Sequence, residues 1–218
     1  MPRSTKAASD RRLEFINAAE GLFNEKGFEN TSIDDIVQRV GVAKGLFYYY
    51  FKSREELLAT IVDRILDEMQ HIVAEAVNKE GLTAMQRLHA MTPPTDMIKA
   101  RGGKLMQYFH EERNQALHLQ FQDRTMRFLV PALESIIRQG VEERVFNTPY
   151  PRETAIALFA LKSVVDRSES GTDYCEDKEH NLKVVSFLGE RLLGANEGIF
   201  LEFLREMENQ REEVGCEK

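Results

Sequence analysis

Little in this chain of 218 residues points to catalysis or to a membrane. It has two cysteines, Cys175 and Cys216, with neither metal-ligand nor redox spacing, and they are expected as reduced thiols in a cytoplasm. No apolar run approaches the ~20 residues that cross a bilayer; the longest strongly apolar stretch, residues 155–161, is far too short. The first dozen residues carry charge but no apolar core, so they do not read as a secretory signal. There is no glycine-rich phosphate loop, no nucleophile elbow and no evident pair of catalytic carboxylates. Catalytic residues, cofactors and metals are therefore not expected. His110, Asn114 and His118 share a helical face, but asparagine is a poor transition-metal ligand and i to i+8 spans about 12 Å. The default for these three is a surface or a helix junction.

Alternating strand patterns and internal repeats are also missing, and almost every periodic segment is helical. The expected fold class is all-α. A net charge of −7 looks wrong for a nucleic-acid binder until it is divided along the chain. Residues 1–54 hold nine Lys/Arg against seven Asp/Glu, so a mildly basic head precedes an acidic body. Such asymmetry would turn the head toward phosphates and keep the body away from them. The excess is small, so non-specific affinity for DNA should be modest and sensitive to salt.

The densest information lies in residues 31–58. Ile33, Ile36, Val37 and Val40 line one face of a short helix, and Gly41 follows where a left-handed backbone ends it. Thr31 or Ser32 can cap its start, with Asp35 at the capping-box position. A second helix over 43–51 places Phe47, Tyr50 and Phe51 on one face and Lys44, Gly45, Tyr48 and Tyr49 on the other. Five consecutive aromatics, 47–51, cannot all face inward on one helix. Tyr50 is the ambiguous member, either buried or reaching a phosphate. A buried face that clamps an outer face carrying a cation, a glycine and two phenols is a helix-turn-helix, a shape that enters a DNA major groove. Gly45 lets a base edge approach, Lys44 can donate to guanine or phosphate, and the phenols can donate to phosphates.

Thr31, Ile33, Ile36 and the run GVAKGLFYYYFKSREEL (41–57) resemble the N-terminal domain of TetR-type one-component repressors. The likeness is dense over about residues 11–58. It implies an N-terminal three-helix, helix-turn-helix DNA-binding domain over 1–54, with a polar arm at 1–9, and a C-terminal helical ligand-binding and dimerisation domain over 55–218. It also implies that Thr31, Ser32 and Lys52 position phosphates. Two positions depart from the pattern. Ala43 stands where the family usually has a capping Ser, and Asp34 stands where some members place a basic or neutral DNA contact. Arg3, Lys6, Arg11 and Arg12 are either a groove-following arm or a solvated terminus.

Beyond the head, helices are expected over 10–26, 53–78, 83–91, 96–110, 114–144 (with Pro131 inside), 152–168, 178–193 and 197–211. The long helix from Ser53 is the natural mechanical link between head and body. Five of the eight methionines fall in residues 83–146, and soft side chains suit an adaptable apolar cavity. The family keeps its inducer site among helices of this region, so Met85, Leu88, Met106, Phe109, Phe121 and Phe128 are the candidate effector contacts. The helices 152–168 and 178–193 carry more apolar surface than one stripe needs. In the family they form a four-helix dimer interface, which puts Phe159, Val164, Phe187 and Leu188 between two copies. The resulting expectation is a homodimeric, cytoplasmic repressor that leaves a double-stranded, pseudo-palindromic operator when a small apolar or amphipathic molecule binds. The alternative is a helix-turn-helix module that serves protein partners without binding DNA, favoured by Asp34 and the low head charge.

Overall fold

The computed structural model describes residues 5–91, 108, 115–168, 178–201 and 205. Among them there are eight main helices and no strand: α1 Thr5–Lys26, α2 Ile33–Val40, α3 Lys44–Tyr50, α4 Arg54–Asn78, α5 Ala84–Ala90, α6 Gln115–Glu142, α7 Pro151–Ser168 and α8 Lys178–Leu193. The chain forms two compact units, and the boundary falls inside α4, between Asp67 and Glu68. The head thus takes in the first half of α4, beyond the boundary expected after residue 54. The helix expected over 96–110 lies outside the described residues apart from Tyr108, as do Arg3, Met106, Phe109, His110, Asn114, Cys175 and Cys216. The side chains of Lys6, His118 and Val164 lie outside them too.

The head is built on aromatic packing. α1 buries Phe15, Ile16, Ala19, Leu22 and Phe23, spaced to share one face. α3 sends Phe47 inward, with Phe51 just past its end, and both meet Phe15 at ring distances of 5.8 and 6.3 Å. α4 closes the core with Leu57, Leu58, Ile61, Val62, Ile65 and Leu66. Burying side chains of this size contributes about 1.5–3 kcal/mol each, which is why so small a unit holds together. Arg64 of α4 pairs with the mostly buried Glu20 of α1 and donates to Asn17 at 2.7 Å.

The turn between α2 and α3 is fixed by backbone chemistry. Gly41 takes φ 75° and ψ 39°, a left-handed conformation that side chains resist. Its N–H reaches Gln38 O at 3.2 Å, and the Val42 N–H reaches Val37 O at 3.0 Å. This double closure is a Schellman motif, and it sets the angle at which α3 leaves.

The body has its own core of Ala84, Val130, Ile136, Ile137, Phe146, Ala155, Leu193 and Phe200. Gly140 of α6 is required there, because a Cβ would lie 2.1 Å from the Phe146 ring. α7 packs against α8. The buried Glu190 of α8 accepts from the backbone N–H groups of Gly198 and Phe200, both at 2.9 Å, and so caps the start of the next helical segment. No helix among the described residues is long and apolar enough to cross a membrane.

Candidate nucleic-acid interface

α3 separates its faces as the aromatic run requires. Phe47 is buried, while Tyr48 and Tyr49 are 54% and 75% exposed. Lys44 and Gly45 share that outer face. A Cβ added at Gly45 would meet nothing within 4 Å, so nothing in the fold demands a glycine there. Glycine inside a helix costs about 0.5–1 kcal/mol relative to alanine. The head accepts that cost on an exposed surface, where an outside body could approach the backbone. Tyr50 is half buried, with its ring 5.9 Å from Phe15 and 4.9 Å from Tyr49.

The start of α3 carries no side-chain cap, since Ala43 has an extended backbone and no group to offer. α2 is the opposite case. Ser32 accepts from the Asp35 N–H at 3.1 Å, while the Asp35 carboxylate accepts from the Ser32 N–H at 2.8 Å and its hydroxyl at 2.7 Å. Lys26 adds an ammonium at 2.8 Å. The hydrogen bond from Lys26, followed by those from Ser32, holds the Asp35 carboxyl far below the usual carboxylate range.

Two expected phosphate contacts are therefore placed differently from the expectation. Thr31 is fully buried, and its hydroxyl donates to Gly27 O at 2.8 Å, so that side chain offers nothing to a phosphate here. Ser32 is exposed, but its N–H and hydroxyl proton are both given to Asp35. Lys52 is exposed, and its ammonium makes no ion pair among the described residues. Ser32, Tyr48, Lys52 and Ser53 border an open concavity of about 340 Å3, where the N-termini of α2 and α4 converge. Helix N-termini favour anions, and this is where a phosphate would sit.

The head's other cations are mostly occupied. Lys26 is tied to Asp35, Arg39 to Glu25 at 2.7 Å, and Lys44 to Asp34 at 2.9 Å. The hydrogen bond to Asp34 is the main reason the Lys44 ammonium is held above its ordinary value. Arg54 donates to Phe28 O at 2.8 Å and Thr31 O at 2.6 Å, with its guanidinium 4.1 Å from the centre of the Phe28 ring. Sequence reasoning missed the pairing of Asp34 with Lys44 and the anchoring by Arg54. Neither has a local signal, because each depends on the angle between two helices.

Of the expected effector contacts, Met85 and Leu88 pack on the body's core, Phe121 and Phe128 are half buried, and Met106 and Phe109 lie outside the described residues. Among the expected dimer contacts, Phe159 leans on its own core, whereas Phe187 and Leu188 are 50% and 39% exposed.

Comparison with known proteins agrees with this architecture. Residues 15–61 match the model of the family described as bacterial regulatory proteins, tetR family. The helix-turn-helix transcriptional regulator YfiR of Bacillus subtilis is 27% identical over 167 residues, covering 72% of this chain and 79% of YfiR. EthR of Mycobacterium tuberculosis is 32% identical over 72 residues, which is 31% of this chain and 33% of EthR. The crystal structure of a TetR/AcrR-family regulator from Thermobifida fusca superposes with a TM-score of 0.60 at 26% identity, covering 87% of this chain and 98% of that one. The matched head, residues 15–61, thus carries the domain of the tetR family of bacterial regulatory proteins, on an all-helical fold shared with a TetR/AcrR-family regulator.

Proposed function

We propose that this chain is a TetR-family regulator that acts as a homodimeric repressor, with the outer face of α3 reading a pseudo-palindromic operator. The observation that carries the reading is Gly45, a helical glycine with open space beyond it, flanked by the exposed Tyr48 and Tyr49. Lys44 and Gly45 face base edges in this reading, while Tyr48, Tyr49 and Lys52 face the backbone. Ser32 and Thr31 contribute by shaping the edge of the site. The dimer is supported by α8, where Val184, Phe187, Leu188 and Leu192 are all exposed at helical spacing. Phe159 and Val164 of α7 are assigned to the same interface by the resemblance to the family. A small apolar or amphipathic effector, bound among residues 83–146, would release the DNA by favouring a head spacing that does not fit it. The protein acts in the cytoplasm, without catalysis and without a cofactor.

The experiment is footprinting on a duplex enriched by the protein from a random-sequence library. Two protected half-sites about 34–36 Å apart, or a multiple of that spacing, are expected. A single asymmetric site would contradict the dimeric reading. The second reading, a protein-interaction module without DNA binding, is favoured by the neutralised Lys44. Failure to enrich any sequence would support it.

A further inference from the structure

Asp34 and Lys44 face each other across the helix-turn-helix, one in the first turn of α2 and the other the first residue of α3. Both carboxylate oxygens lie within reach of the ammonium, Oδ1 at 2.9 Å and Oδ2 at 3.0 Å. The pair is open to solvent, with the aspartate side chain 69% and the lysine side chain 50% exposed. An ion pair so exposed adds little to folding. The capping of α2 does not need Asp34 either, because Asp35 already fills the capping box. Its place in the first turn of α2 and its exposed ion pair each add only modest stability, a weak reason for an acid on the surface that would meet DNA.

We propose that Asp34 is a specificity-determining residue: it holds the Lys44 ammonium away from phosphates and reserves it for a base edge. The assignment rests on the DNA-binding function proposed above. A phosphate approaching Lys44 also approaches Asp34, so the attraction of one charge is largely cancelled by the other. A G·C pair is a different target. Guanine O6 and N7 accept from an ammonium, and the N4 amino group of the paired cytosine suits a carboxylate. A neutral pair thus loses backbone affinity, which carries no sequence information, and keeps base affinity, which does. Lys52 provides the contrast on the same head, exposed and without an ion pair among the described residues.

Asp34→Asn tests the proposal, because it keeps the side chain's size and removes its charge. The probes are the duplex enriched by the wild-type protein and a scrambled duplex of equal composition, each titrated across a range of salt. The variant should bind the scrambled duplex about tenfold more tightly, with the slope of log affinity against log salt steeper by about one per head, or about two for the dimer. Its preference for the enriched duplex should fall by about the same factor. In a Lys44→Ala background, Asp34→Asn should change the slope by much less, because only the repulsion of a bare carboxylate is removed. An unchanged slope in the single variant would overturn the assignment, and so would an equal change in both backgrounds, since Asp34 would then act as a bare charge. Loss of binding to both duplexes with an unaltered thermal melt would overturn it as well. A wild-type protein that enriches no sequence would instead overturn the DNA-binding reading, before any variant is made.

Discussion

Arg54 donates a hydrogen bond of 2.6 Å to the carbonyl of Thr31, so the first residue of α4 is fastened to the residue that precedes the cap of α2. A second bond to Phe28 O and the stacking on the Phe28 ring make it a three-point anchor. The helix that carries the unit boundary is thereby tied to the turn that leads into the helix-turn-helix.

Arg54→Ala should destabilise the head by about 1.5–3 kcal/mol, because two charged hydrogen bonds are lost and the Thr31 carbonyl loses its donor, while Phe28 O keeps only the Thr31 N–H. Arg54→Lys should recover only part of that, since an ammonium on a shorter side chain lacks the planar group that lies over the Phe28 ring while Nη1 serves both carbonyls. Urea unfolding of the three proteins gives the ranking. Equal midpoints for wild type and Arg54→Ala would show that the anchor is decorative.

Local features of both units were legible in the sequence because their chemistry spans three or four residues. Ser32 with Asp35, Thr83 with Gln86, and the stop at Gly41 all form as the residue types require. The S-x-x-E pattern of Ser53 to Glu56, which reads as a capping box, is only partly realised. Ser53 accepts from the Glu56 N–H at 3.2 Å, but Glu56 reaches past it to the Lys52 N–H at 2.6 Å. Thr31 shows where local reasoning stops: a threonine beside a cap looks like a surface group, and only the packing of α1 beneath it makes it interior. Contacts such as Asp34 with Lys44 cross a turn whose angle the sequence does not print.

The uncapped start of α3 predicts a gain from one substitution. Ala43 already has the extended backbone of a cap residue, φ −72° and ψ 145°. Ala43→Ser should add a hydrogen bond to an otherwise unsatisfied N–H and stabilise the head by about 0.5–2 kcal/mol. Thermal unfolding followed by circular dichroism measures it, and a lower melting temperature would contradict the capping argument.

Asp35 predicts an acid-side loss of stability. Its folded pKa is depressed below the ordinary 3.8 by Lys26 and Ser32. A depressed carboxylate pKa stabilises the fold above the unfolded value, and that stability is lost as pH falls through the folded one. The wild-type stability curve should therefore drop as pH falls below about 4, and Asp35→Asn should be less stable at neutral pH with a shallower drop. Parallel curves would remove Asp35 from the account.

α8 supplies the test of assembly. Phe187 is half exposed and leaves the body's own core intact when changed. Phe187→Asp should yield a folded monomer in sedimentation, because an unpaired charge buried between two copies is strongly unfavourable. A dimer of unchanged affinity would move the interface away from this face.

Gly45→Ala tests the central claim, that the outer face of α3 meets DNA. The added methyl group meets nothing within 4 Å in the protein and removes the conformational freedom of a helical glycine. Folding stability should rise by about 0.5–1 kcal/mol. Affinity for the enriched duplex, measured on the same preparation by fluorescence anisotropy, should fall by about 1–3 kcal/mol as the methyl group intrudes where a base edge must approach. Opposite signs in the two measurements are the predicted result. A more stable variant that binds the enriched duplex as tightly as the wild type would contradict the claim.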